Sequence, residues 1–139
     1  MKFTTSTDGD MEILLSVVGK HLGAIGAEGM IDLYTDEPIE DPEPQQAFLE
    51  MRQEVQSQHA GKRDYLIGVP LDFASQTDLR RFTLLGHRTI GCEAYVGRKL
   101  VFSTVENERI VFLDLPQTDV EALESQARQA GAEGLTRLT

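Results

Sequence analysis

The sequence predicts an α+β fold, a single-domain sandwich in which about four helices pack on a mixed sheet of about five to seven strands. Three observations carry that prediction. Met11 to Ile25 repeats apolar residues at spacings of three and four, the period of a helix with one buried face. Tyr65 to Leu71 is a nearly continuous apolar run of strand length. From Thr89 onward, β-rich runs alternate with turn residues, the pattern of a C-terminal three-stranded antiparallel meander. At 139 residues, 40% of them apolar, the chain can build a core without staples.

Lys2 to Thr5 reads as a short edge strand. A helix to about Leu22 follows, for which Asp8 and Asp10 offer N-terminal caps. Its stripe is Met11, Leu14, Leu15, Val18, Leu22 and Ile25, widened by Ile13 and Val17. Gly19, Gly23 and Gly26 each cost about 1 kcal/mol relative to alanine inside a helix. They therefore either end the helix early or permit a close backbone approach. Met30 to Thr35 reads as a strand with Ile31 and Leu33 inward. Asp36 to Pro44 reads as an extended acidic linker, since Pro38, Pro42 and Pro44 each withhold a backbone donor and restrict the residue before them. Pro44 suits the first turn of a helix to about Gln58, with Phe48, Met51 and Val55 as its buried line. The run from Tyr65 to Leu71 is expected to be the central strand, covered on both faces.

Ser75 and Asp78 have capping-box spacing and open a short helix carrying Leu79, Phe82 and Leu85, closed by Gly86. Within the meander, Gly97-Arg98 forms a two-residue hairpin turn and Glu106 to Glu108 the second turn. Thr118 and Glu121 form a capping box for a last helix that turns Val120, Leu123, Ala127 and Ala130 inward and ends at Gly131. Leu135 to Leu138 is a tail strand returning to the sheet. No composition shift or repeat divides the chain, so one domain, 1–139, is expected.

Charge constrains function more than any motif does. Residues 1–60 hold twelve acidic and three basic residues, 61–112 hold six and eight, and 113–139 hold five and two, for segment nets of −9, +2 and −3 within a total of −10. Such a field favours cationic partners and disfavours nucleic acid and acidic membrane surfaces. The lone Cys92 leaves no intramolecular disulfide and no Cys-rich zinc site, and the alternation Ile90, Cys92, Ala94, Val96 puts it on an apolar face as a buried, inert thiol. The N-terminus lacks the apolar core of a signal peptide, and no stretch approaches the roughly 20 apolar residues that span a bilayer. A cytoplasmic protein is expected.

No motif assigns a catalytic group, a metal or a cofactor. Gly19, Gly23, Gly26 and Gly29 match no phosphate-binding fingerprint. His21, His59 and His87 have no metal-type companion at i+3 or i+4 and read as caps or surface imidazoles. The leading expectation is a non-enzymatic acidic interaction protein that binds a basic protein surface, as an inhibitor, immunity-type antidote, nucleic-acid mimic or adaptor does. Its docking residues are Asp36, Glu37, Glu40, Asp41 and Glu43. The alternative is a small-molecule site, sensory or catalytic, in which Arg80, Arg81 and Arg88 converge on an anion beside His87. A third is a homodimer through the wide apolar face of the first helix. The deciding geometry is whether the acidic segment and the basic cluster face each other or face outward.

Overall fold

The computed structural model describes residues 1–34, 39–58 and 66–138. Along the chain run β1 (Lys2–Thr4), α1 (Asp8–Ala24), β2 (Glu28–Asp32), α2 (Pro42–Gln58), β3 (Val69–Asp72), α3 (Gln76–Leu85), β4 (Gly91–Val96), β5 (Lys99–Thr104), β6 (Ile110–Leu113), α4 (Gln117–Gln129) and β7 (Thr136–Arg137). The strands form one seven-stranded sheet in the order β3-β2-β4-β5-β6-β1-β7. The fold is α+β.

Every neighbouring pair is antiparallel, so the expected mixed sheet is not found. The reason is that α3 carries the chain from β3 over β2 to β4. The two strands it joins run the same way but are separated by an antiparallel strand.

Antiparallel register places one set of side chains under the helices and the other in solvent. Phe3, Ile31, Leu71, Cys92, Ala94, Phe102, Val111 and Leu113 are buried on the helix side. Helices α1 and α3 pack face to face over this layer, with α2 against α3 and α4 against α1. Met11, Leu14, Leu15, Val18 and Leu22 form the seam of α1, as their spacing requires, whereas Ile25 lies past the helix end and is exposed. The wide face of α1 is consumed by this core.

The helix glycines serve close approach. A Cβ at Gly19 would stand 2.5 Å from Leu79 Cδ1 and 3.0 Å from the Phe82 ring, so this glycine lets α3 sit against α1. The helix continues past it to Ala24 and only then turns, at Gly26 with φ +71°.

Several local expectations change. Tyr65 lies outside the described residues. The strand that follows it, β3, is at the edge of the sheet rather than its centre, and Pro70 and Asp72 face solvent. The edge is closed to strand addition because Pro70 has no amide hydrogen and the Asp72 amide donates to Asp78 Oδ2 at 2.9 Å. β1 is not an edge strand, since β7 pairs outside it. Pro42 and Pro44 do not keep residues 42–44 extended. Both sit in the first turn of α2, where missing amide donors cost nothing.

Caps also differ in identity. Thr7, not Asp8 or Asp10, caps α1 by accepting from the Asp10 amide at 3.1 Å. Ser75 caps α3 by accepting from the Asp78 amide, but Asp78 turns to Asp72 instead of returning the bond to Ser75. α4 starts at Gln117 after Pro116, whose carbonyl takes the Asp119 and Val120 amides, so Thr118 lies inside the helix and caps nothing. The meander, its turn at Gly97 with φ +61°, and the tail strand fall where the sequence places them. No helix among the described residues is long and apolar enough to cross a membrane.

Candidate functional site

Two features stand apart from ordinary packing: a charged cluster at one end of the sheet, and the sheet face that the helices leave open.

The cluster is built on the first turns of α1 and the loops after α3 and β5. Asp8 and Glu12, four residues apart, lie on one side of α1 away from its apolar stripe. Arg88 follows α3, with its side chain only 14% exposed. Its guanidinium meets Asp41 Oδ2 at 3.1 Å, Glu12 Oε1 at 3.2 Å and Asp8 Oδ2 at 3.5 Å. Arg109, from the turn ahead of β6, reaches Asp8 Oδ1 at 3.2 Å. Partial burial pushes the Asp8 carboxyl up. The hydrogen bond from Arg109 and the charges of Arg88 and His87 outweigh it and hold the group below its ordinary value.

His87 is the unexpected member. It was expected to be a cap or surface imidazole, yet it is 3% exposed, with Nε2 3.2 Å from Asp8 Oδ1 and Nδ1 buried with no partner among the described residues. Burial drives its pKa down from 6.5 to about 4, with Arg88 adding to the shift and Asp8 opposing it. At neutral pH the imidazole is therefore uncharged, and a proton on Nε2 serves Asp8 while the Nδ1 lone pair stays dry. Cys92 is buried and its thiol is pushed up by burial, with the charges of Glu93 and Asp32 adding to the effect. That makes it unreactive at neutral pH.

Two concavities flank this cluster. One, of about 310 Å³, is lined by Asp8, Tyr34, Ile39, Glu40, Asp41, Arg88 and Asn107. The other, of about 400 Å³, is lined on its polar side by Asp8, His87, Arg88, Glu108 and Arg109. The first sets three carboxylates against one guanidinium. Tyr34 donates to Glu106 Oε1 at 2.7 Å beside it. Glu40 is exposed and makes no hydrogen bond or ion pair among the described residues.

The sequence-selected residues distribute as follows. Asp36 and Glu37 lie outside the described residues, as does His59. Asp41 and Glu43 face the basic cluster, pairing with Arg88 and, at 3.2 Å, with Arg80. Arg81 is buried against α2 and pairs with Glu54 at 2.7 Å. Arg80 and Arg81 thus point at α2, and only Arg88 and His87 reach the cluster. The four do not form one anion cradle. Asp8, Glu12 and Arg109 complete the cluster without having been singled out for it in the sequence. The i, i+4 acidic pair off the apolar stripe of α1 was the one local sign of it. Among the described residues no group of three His, Cys, Asp or Glu side chains is placed to hold a metal ion.

The open sheet face carries Pro70, Met30, Tyr95, Leu100 and Phe112 across β3, β2, β4, β5 and β6. Met30, Leu100 and Phe112 are each about two-fifths exposed. Glu28, Asp72 and Glu93 lie toward the β3 side, and Lys2 toward the β1 side, with its ammonium 5.1 Å from the Phe112 ring centroid. Compared with known proteins, the chain matches no family model, no curated protein and no solved structure, which leaves its geometry as the ground for its function.

Proposed function

We propose that the protein is a non-enzymatic acidic interaction protein that binds a basic protein surface, taking a Lys or Arg side chain of its partner at the charged end of the sheet. The observation that carries this reading is the 310 Å³ cleft, whose lining sets Asp8, Glu40 and Asp41 around Arg88, with Arg109 reaching Asp8 from outside it and Ile39 and Tyr34 supplying an apolar flank. Arg88 satisfies Asp8 and Asp41, but Glu40 remains available at the rim. A long cationic side chain fits such a lining, with its stem on the apolar wall and its charge on the carboxylates. The net charge of −10 steers the encounter. A cytoplasmic setting agrees with a single, deeply buried thiol.

The test compares two charge reversals of equal size. Glu40→Lys and Glu121→Lys each move the net charge by the same amount, but Glu121 lies on α4, away from the cleft. Binding of an arginine-rich peptide, followed by calorimetry, is expected to weaken about tenfold with Glu40→Lys and less than twofold with Glu121→Lys. Equal losses would reduce the interaction to bulk attraction and remove the cleft from it.

The anion-site alternative draws on the 400 Å³ cavity, with Arg88, Arg109 and the uncharged His87 in its lining. Both arginines are already engaged with Asp8, and Arg80 and Arg81 are committed to α2. An incoming anion would have to displace carboxylates from both cations, which favours the first reading.

A further inference from the structure

The docking cleft already holds a guanidinium, that of Arg88. Its Nη2 lies 3.1 Å from Asp41 Oδ2 and 3.2 Å from Glu12 Oε1, its Nη1 lies 3.5 Å from Asp8 Oδ2, and its Nε donates to the Leu84 carbonyl at 3.1 Å. The three carboxylates are not equally enclosed. The Glu12 and Asp8 side chains, on α1, are 28% and 39% exposed, whereas that of Asp41, at the entrance to α2, is 58% exposed.

The helix does not need the Asp41 carboxylate for its own start. An aspartate just ahead of a helix accepts from the amide of the second or third helical residue. Here the third is Pro44, which has no amide hydrogen, and the carboxylate turns to Arg88 instead. The Asp41 carbonyl meanwhile accepts the Gln45 amide at 3.0 Å, so the backbone stays fixed when the side chain changes partner. Without Asp41, Arg88 still keeps Glu12, Asp8 and the Leu84 carbonyl. The pair therefore opens by side-chain rotation, with no unwinding of α2 and no unpaired buried charge.

We infer that Arg88 is a built-in occupant of the cleft, which an arginine of the partner displaces from Asp41. This inference rests on the reading of the cleft as a cation site and adds its regulation. Glu40, at the rim, takes the incoming guanidinium first, and Asp41 then exchanges one arginine for another. A ligand that binds only the open form has its affinity reduced by the fraction of molecules that are open. An ion pair on a partly exposed carboxylate favours its closed form by on the order of tenfold, so removing the Arg88 guanidinium tightens binding by about that factor. An arginine that only shapes the cleft predicts the opposite sign, because its loss would loosen the site.

The experiment is calorimetric titration of an arginine-rich peptide into wild type, Arg88→Gln and Arg128→Gln, with circular dichroism confirming the fold of each. Arg128 lies on α4 and pairs with Glu124, so its loss changes the net charge equally but away from the cleft. Arg88→Gln is expected to bind about tenfold tighter than wild type, and Arg128→Gln less than about twofold tighter. In an Asp41→Asn background, Arg88→Gln should gain less than about threefold, because the carboxylate it frees is gone. A second measurement needs no variant and decides the matter should Arg88→Gln not fold. The Arg88 side-chain nitrogen resonances of isotope-labelled wild type should shift, and their protons exchange faster with water, in step with peptide saturation. The inference is overturned by an Arg88→Gln variant that binds no tighter than wild type, by a gain no larger than that of Arg128→Gln, by a gain that survives Asp41→Asn, or by Arg88 resonances unmoved at saturation. Where Glu40→Lys still weakens peptide binding, each of these results leaves the cleft reading in place. Indifference to Glu40→Lys with the Arg88→Gln gain intact removes the rim contact and keeps the exchange. Absence of binding by wild type and Arg88→Gln alike overturns both.

Discussion

At the scale of single residues, His87 carries the clearest consequence. Its folded pKa of about 4 lies below the ordinary value of 6.5, so between those pH values the unfolded chain binds a proton that the folded chain refuses. Stability is then full above the ordinary value and falls as pH drops through this window. From near pH 7 to near pH 5 the loss assigned to this one group is about 2 kcal/mol. Asp8 and Glu124 follow at lower pH. The Glu124 carboxyl is raised by partial burial but held down on balance by Arg128 and Arg137, and both groups lose their contribution as pH falls below the ordinary carboxylate range. Urea unfolding near pH 7 and near pH 5 checks the assignment. The wild type should lose stability across that interval, whereas His87→Gln should lose far less. An equal decline in both would place the acid sensitivity elsewhere.

At the scale of elements, the contact between α1 and α3 sets the sharpest requirement. Alanine at Gly19 gains helix propensity of about 1 kcal/mol but drives a Cβ to 2.5 Å from Leu79 and 3.0 Å from Phe82. Overpacking of that kind costs about 1–3 kcal/mol, so Gly19→Ala is expected to be net destabilising. Gly9, on the same helix, has nothing nearer than the Thr7 hydroxyl at 3.9 Å, and Gly9→Ala should be neutral or stabilising by up to about 1 kcal/mol. Thermal melts of the two variants should move in opposite directions. The same elements show what the sequence discloses. The stripe of α1, the Ser75 cap and the hairpin at Gly97 were legible because each is encoded within a few residues. The place of β3 was not. An apolar run reports burial but not sheet position, and here Val69 and Leu71 face the helices while Pro70 faces solvent. The charged cluster was legible only in fragments. Asp8, Asp41, Arg88 and Arg109 are separated by 20 residues or more and meet only because α1, α3 and the turn ahead of β6 end at one corner.

At the scale of the whole molecule, charge segregation along the chain becomes pairing between layers. Asp41, Glu43 and Glu54, at and along α2, meet Arg88, Arg80 and Arg81, at and along α3. The Glu54 carboxyl is held below its ordinary value by the Arg81 hydrogen bond and charge. Helix α2 packs chiefly on α3, anchored by Phe48, Met51 and Val55, whereas β4 and β5 are hydrogen-bonded on both sides within the sheet. The peripheral helix thus costs less to open than the strands inside the sheet. Salt screens its exposed pairs, Arg80–Glu43 most of all, and leaves the strand ladders untouched. Amide exchange measured at about 0.05 M and about 0.5 M NaCl should show α2 exchanging faster than β4 and β5 at both, with the gap widening several-fold at high salt. A gap that stays constant would assign the hold on α2 to its apolar side chains alone. The widening would mean that the acidic residues nearest the proposed docking cleft are kept in place by arginines with which a basic partner would compete.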